Sequence, residues 1–116
     1  MTDSLRDLAA RLDRFAQERD WAQFHSPKNL ASALIVEAAE LLEHFQWATE
    51  ARSRALPPDE LAAVGAEIAD VLLYLVQLAS ALGIDPIAAA NEKIQVNERK
   101  YPADRCRGSS RKSGEA

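Results

Sequence analysis

Apolar residues recur at helical spacing in four stretches of the chain, and turn-forming residues separate these stretches. In the first, Leu5, Leu8 and Leu12 lie three or four residues apart, which places them on one face of an α-helix. Ser4 precedes them as a candidate N-cap, with an acidic residue three positions later. The pattern predicts an amphipathic helix that continues to about Arg19, followed by a short connection.

The second and third stretches carry start and stop signals. Ser26 followed by Pro27 is typical of an N-cap and a first-turn proline, and we expect that helix to continue to about Glu50. A polar loop follows, and Pro58 opens a third helix that should end before Gly83, a C-cap residue. The loop between these helices is short, so it predicts an antiparallel pair.

The fourth stretch begins at a second cap-and-proline signal, Asp85 followed by Pro86. Because Pro102 cannot continue a helix, this helix should end near Tyr101. We therefore assign residues 1–102 to one domain and residues 103–116, which are basic, small and polar, to a flexible C-terminal tail.

Composition and charge favour one class of protein. Hydrophobic residues make up 47% of the chain, with only 4 Gly and 5 Pro, which favours an all-α fold, here a four-helix bundle. The formal net charge of −4 argues against a groove for a nucleic-acid polymer, which would need a basic field. Cys106 is the single cysteine, and no signal peptide is evident at the start, so we expect a reducing, cytoplasmic location.

The apolar helices raise two questions: whether the protein spans a membrane and whether it associates with copies of itself. The third is long enough to span a bilayer, but Glu67 and Asp70 within it would each cost roughly 2.5–3.5 kcal/mol on insertion scales. We therefore interpret it as a buried helix of a soluble protein and expect no membrane partner. Because the apolar surface exceeds what one small bundle can cover, we expect a homo-oligomer, a tetramer in preference to a dimer.

Two pairs of carboxylates interrupt these apolar helices. Glu37 and Glu40 lie three residues apart on one face of the second helix, and Glu67 and Asp70 repeat this spacing on the third. Two antiparallel helices can bring the pairs together, and four anions need compensation by cations. Oxygen ligands favour a hard ion, so the sequence predicts a Mg²⁺ site in which Mn²⁺ could substitute.

Two other interpretations of the carboxylates fit the sequence less well. Acidic pairs at this spacing are common on solvated helix faces, but Leu30, Ala33 and Leu41 share the face of the first pair. Di-iron bundles use Glu-x-x-His pairs, whereas Glu43 and Leu73 stand where the histidines would be required. A Mg²⁺ cluster instead favours phosphate chemistry, because such ions neutralise phosphate charge and activate water.

Aromatic residues extend this candidate site. Trp47 is seven residues beyond Glu40, two turns along the same face of the predicted helix. Tyr74 is four residues beyond Asp70. Aromatics at helical spacing usually belong to a core, but next to a phosphate site they can stack on a nucleobase.

Several stretches of this sequence resemble a known family. The ExxE pair, 26 intervening residues and the ExxD pair are similar to those of the MazG-like all-α nucleoside triphosphate pyrophosphohydrolases. Over roughly residues 5–112, the chain more specifically resembles the dCTP pyrophosphatase branch of this family. Five stretches carry this resemblance: RDWAQFHSPKNL, FQW, EIADVLLYLV, KIQVNERKYP and SSRK.

The resemblance implies Mg²⁺-dependent hydrolysis between the α and β phosphates of a nucleoside triphosphate. It implies that the four carboxylates bind metal and that the substrate is contacted by Trp21, Trp47, Tyr74, Lys93 and Asn97. Leu12 departs from the pattern, because the animal enzymes are expected to have a substrate-contacting histidine there. This departure bears on the base preference and not on the metal chemistry.

We therefore expect water to attack the α-phosphorus, with Glu40 as the candidate to orient or deprotonate it. Two alternatives stay open at this point. One is a related pyrophosphatase that prefers dUTP or a damaged purine nucleotide. The other is a non-catalytic helical module that binds a nucleotide or a protein partner.

Overall fold

The computed structural model describes residues 4–110, and within them every regular element is a helix. The elements are α1 (Leu5–Glu18), a 3₁₀ turn (Ala22–Phe24), α2 (Pro27–Glu43), α3 (Glu50–Ser53), α4 (Pro58–Ala81), α5 (Pro86–Lys100) and α6 (Ala103–Cys106). The expected all-α class is confirmed. The chain divides into two compact units after Ile84, and each is described by itself.

The first unit is built on α2 packed along α4, with α1 also against α4. Side chains cap the N-termini of α1 and α2, as the sequence predicts. Ser4 Oγ accepts a hydrogen bond from the Asp7 N–H at 3.1 Å, and Ser26 Oγ accepts one from the Asn29 N–H at 3.2 Å. The small core of this unit consists of Ala16, Leu30, Val64, Val76 and Ala79.

Helix α2 ends earlier than predicted. It stops at Glu43, where the Phe45 N–H donates to the Leu42 carbonyl at 2.8 Å in a tightened last turn. The hydroxyl of Thr49 then accepts from the Arg52 N–H at 3.1 Å and starts α3. The prediction of a continuous helix to Glu50 was therefore wrong, because the Thr49 cap begins a separate helix.

The connection from α2 to α4 is held in place by an ion pair. Arg52 on α3 donates to Glu60 in the first turn of α4, with an N–O distance of 2.7 Å. Both side chains are about half exposed, so this pair adds little stability by itself. It ties the short helix to the start of α4.

Helix α4 is less covered than the sequence suggested. With 24 residues, the helix is long and apolar enough to cross a membrane, yet its only buried residues are Val64, Val76 and Ala79. The interpretation of α4 as a buried helix is wrong for the single chain, because α1 and α2 cover only part of its surface. Large apolar side chains on its remaining surface stay exposed: Leu61, Ile68, Leu72 and Leu75.

The second unit contains α5 and α6. Asp85 Oδ1 accepts from the N–H groups of Ile87 and Ala88 and caps α5, as its sequence signal predicts. In the segment assigned to the tail, residues 103–106 form α6. Residues 111–116, including Arg111 and Lys112, lie outside the described residues, and the flexible tail stays a prediction.

Candidate metal centre

Three carboxylates meet between α2 and α4. One oxygen each from Glu37, Glu67 and Asp70 lies within 4.8 Å of the other two. Glu67 and Asp70 are one turn apart on α4, and Glu37 reaches them from α2. The packing of these two helices therefore brings together three of the four carboxylates that the paired spacings predict.

Two oxygens in this group lack any partner. Glu37 Oε2 and Glu67 Oε2 are shut off from solvent and accept no hydrogen bond. Among the described residues, the Lys and Arg ion pairs involve other carboxylates. A buried anionic oxygen without a partner is costly, whereas a hard divalent cation would satisfy several at once. The donor set thus fits Mg²⁺.

Glu40 lies beside this group and changes its electrostatics. A hydrogen bond with the Glu40 side chain, partial burial, and the negative charges of Glu40, Asp70 and Glu67 together raise the pKa of Glu37 to about 7. In the absence of metal, Glu37 therefore stays protonated to a much higher pH than an isolated carboxyl and loses its proton around neutral pH. A bound cation would replace that proton.

The aromatic residues occupy different surroundings. Tyr74 is half-buried on α4, one turn beyond Asp70. Trp21 precedes the 3₁₀ turn and packs edge to face against Phe15, with ring centroids 5.7 Å apart. Trp47 is 89% exposed and lies in the turn after α2, so its predicted position on the α2 face was wrong.

Lys93 and Asn97 lie four residues apart on α5, in the second unit. Both side chains are exposed. Their expected role at the phosphates stays a prediction.

Sequence reasoning missed Gln77, whose Oε1 atom is also buried without a hydrogen-bond partner. Its side chain lines a cavity of about 240 Å³ that Leu12 also borders. The available signal was its position seven residues beyond Asp70, which is two turns along the same face of α4.

The chain is similar to several known proteins. A family model described as the MazG-like family matches residues 33–115. The dCTP pyrophosphatase 1 of Homo sapiens is 45% identical over 111 residues, which are 94% of this chain. That of Mus musculus is 45% identical over 109 residues, or 92% of the chain. The chain spans 65% and 64% of these two relatives, less than two thirds of either.

A solved structure, that of a pyrophosphatase from Archaeoglobus fulgidus, matches the fold with a TM-score of 0.80. The sequences are 40% identical, and the match covers 88% of this chain and 95% of the archaeal one. The similarity thus extends over most of both chains.

The pKa of Glu37 predicts how pH affects the metal-free protein. This pKa is raised from 4.5 to about 7, so the folded state binds an extra proton between these values. Stability should therefore fall as pH rises from about 5 to 8. Thermal unfolding in EDTA should show this loss, and Glu37→Gln should reduce it. Mg²⁺ should restore stability at pH 8, because it binds the deprotonated carboxylates.

The matched control is Glu43→Gln, since Glu43 is exposed at the end of α2. It should keep the wild-type dependence on pH. An equal pH dependence in wild type and Glu37→Gln would contradict the assignment.

Proposed function

Because this chain belongs to the MazG-like family, we propose that it is a Mg²⁺-dependent nucleoside triphosphate pyrophosphohydrolase. The family expected from the carboxylate spacing is confirmed by the match over residues 33–115. The observation that carries the proposed activity is the grouping of Glu37, Glu67 and Asp70, with two orphaned oxygens suited to a cation.

The proposed substrate is dCTP or a dCTP modified on its base. Support comes from the human and mouse relatives, which are named dCTP pyrophosphatase 1 and are each 45% identical to this chain. The archaeal pyrophosphatase supports the broader reaction class. The products would be the nucleoside monophosphate and pyrophosphate.

Four carboxylates would hold the ion in this proposal: Glu37, Glu40, Glu67 and Asp70. Bound Mg²⁺, or Mn²⁺ in its place, would neutralise phosphate charge and lower the pKa of a coordinated water. Glu40 is the residue we assign to orient the attacking water and to accept its proton. The water oxygen bonds to the α-phosphorus as the bond to the bridging oxygen breaks, and pyrophosphate leaves.

Five further residues are proposed to bind the substrate. Tyr74 lies one turn from Asp70 on the same helix, which supports a place beside the nucleotide. Trp21 and Trp47 would contribute stacking surface, and their exposure leaves their rings free to meet a base. Lys93 and Asn97 would contact phosphate oxygens.

We also propose that the protein acts as a cytoplasmic homo-oligomer, with a tetramer favoured over a dimer. The exposed apolar side chains of α4 support this, because contiguous apolar surface usually marks an interface. Further large apolar side chains are exposed on α2, including Ile35, Val36 and Leu42.

The substrate assignment predicts the order of activity in a panel of nucleotides. With Mg²⁺ present, kcat/KM for pyrophosphate release should be higher for dCTP than for dTTP, dUTP or dATP. A preference for dUTP or a purine nucleotide would refute the dCTP assignment and leave the reaction class standing. If none of the canonical or base-modified triphosphates released pyrophosphate, a non-catalytic binding module would be the better description.

The metal-centre assignment predicts the effect of removing single carboxylates. Glu40→Ala and Asp70→Ala should each abolish pyrophosphate release and leave the helical circular dichroism unchanged. Both should raise the thermal stability of the metal-free protein, because repulsion among the carboxylates falls. Glu43→Ala is the control and should keep wild-type turnover. Wild-type turnover by Glu40→Ala at saturating Mg²⁺ would refute the proposed cluster.

The exposed apolar surface predicts stable association. Sedimentation velocity at micromolar concentration should show no monomer. Replacing Ile68 with Lys on the exposed surface of α4 should dissociate the oligomer, because burying an unpaired charge is costly. A fully active wild-type monomer would refute this proposal.

A further inference from the structure

The connection between α1 and α2 contains a residue in an unusual backbone conformation. Asp20, two residues after α1, has a φ of 54°, and among the described residues it alone has a positive φ without being glycine. The left-handed region is disfavoured for residues with a Cβ atom, and helices that end in this way usually have glycine there. Such strain persists where the surrounding structure imposes it, and it is frequent at functional sites. The presence of an aspartate here therefore needs a reason beyond ending the helix.

The backbone around Asp20 forms a Schellman motif, which fixes the start of the connection. The Asp20 N–H donates to the Gln17 carbonyl at 3.1 Å, and the Trp21 N–H donates to the Ala16 carbonyl at 2.8 Å. The second bond turns the chain back on α1, where the Trp21 ring packs edge to face against Phe15. The left-handed conformation of Asp20 thus helps to decide where the Trp21 ring lies.

The carboxylate of Asp20 adds a second restraint. The Gln23 side-chain nitrogen donates to Asp20 Oδ2 at 2.9 Å and to the Asp20 carbonyl at 3.0 Å. Gln23 lies in the 3₁₀ turn Ala22–Phe24, which directly follows Trp21. These two bonds therefore join the residue before Trp21 to the turn after it. A glycine in place of Asp20 would relieve the strain but would lose the bond to the carboxylate.

The ring against which Trp21 packs is itself held in place. The Arg19 guanidinium lies over the Phe15 ring, 3.7 Å from its centroid, and Arg19 Nη1 donates to the Phe15 carbonyl at 3.1 Å. In spite of its contact with Phe15, Trp21 stays 47% exposed. An exposed ring that is already held by its neighbours is preorganised for a ligand, because little conformational entropy is lost on binding.

We propose that Asp20 is a positioning residue for substrate binding, whose left-handed backbone and hydrogen bond from Gln23 hold the Trp21 ring ready to meet the nucleotide. This inference rests on the proposed function, in which Trp21 contacts the substrate. Loss of the bond frees the ring, so that binding then carries the entropic cost of ordering it. The contact is shared by the ground state and the transition state, so KM changes and kcat does not.

The kinetic test uses dCTP with Mg²⁺ and two variants that break the hydrogen bond, Asp20→Gly and Gln23→Ala. Each should raise KM about fivefold, the effect of one hydrogen bond, with kcat unchanged. The double variant should raise KM no further than Gln23→Ala, because both changes remove the same bond.

Two controls separate the hydrogen bond from the charge of Asp20. Asp20→Asn should keep the wild-type KM, because asparagine tolerates the left-handed backbone and its Oδ1 accepts from Gln23. Asp7→Ala removes an exposed carboxylate from the first turn of α1 and should also keep the wild-type KM.

A spectroscopic measurement separates positioning from a general effect on stability. The chain has two tryptophans, so in Trp47→Phe the tryptophan emission comes from Trp21. In this background, Asp20→Gly should enlarge the fast component of the fluorescence anisotropy decay. The melting temperature should stay close to that of the parent, because relief of the left-handed strain offsets the lost hydrogen bond.

The outcomes separate this inference from the proposed function. An unchanged KM or an unchanged anisotropy decay in Asp20→Gly overturns the inference, as does an equal rise of KM in Asp20→Asn. If the wild type releases no pyrophosphate from dCTP, the proposed function fails separately, and dCTP binding is followed by quenching of the Trp21 emission. Weaker binding by Asp20→Gly would then support the inference, whereas equal binding, or none by the parent, overturns it.

Discussion

Electrostatic repulsion among carboxylates is the constraint on which the function of this protein depends. The packing of α2 along α4 brings oxygens of Glu37, Glu67 and Asp70 within 4.8 Å of one another. The apolar contacts between these helices hold the anions together although their charges oppose it. This repulsion contributes to the raised pKa of Glu37, which is about 7. The free-energy cost of this metal-free state is what would favour a bound cation.

The same pair of helices also contributes to the lining of a cavity. The carboxylates lie near the middle of α2 and α4, and the cavity lined by Gln77 lies two turns away along both helices. Rigid helices hold such a separation better than loops do.

The exposed surface of α4 links the fold to assembly. Only a few side chains of α4 are buried in the single chain, while Glu67 and Asp70 on the same helix face α2. The helix thus carries two carboxylates of the candidate metal centre on one side and apolar surface on another. A partner that covers this surface would also fix α4, and with it the geometry of the carboxylates.

Local signals determined most of the secondary structure, because caps and apolar periodicity act within a few residues of the chain. The starts of α2 at Pro27 and α5 at Pro86, and the pairing of Glu37 with the carboxylates of α4, could be predicted from the sequence in this way. The end of α2 at Glu43 was missed, although the Thr49 cap that begins α3 is itself a local signal. The partnerless oxygens of Glu37 and Gln77 became apparent only in the tertiary structure, since burial and partners depend on which helices pack together.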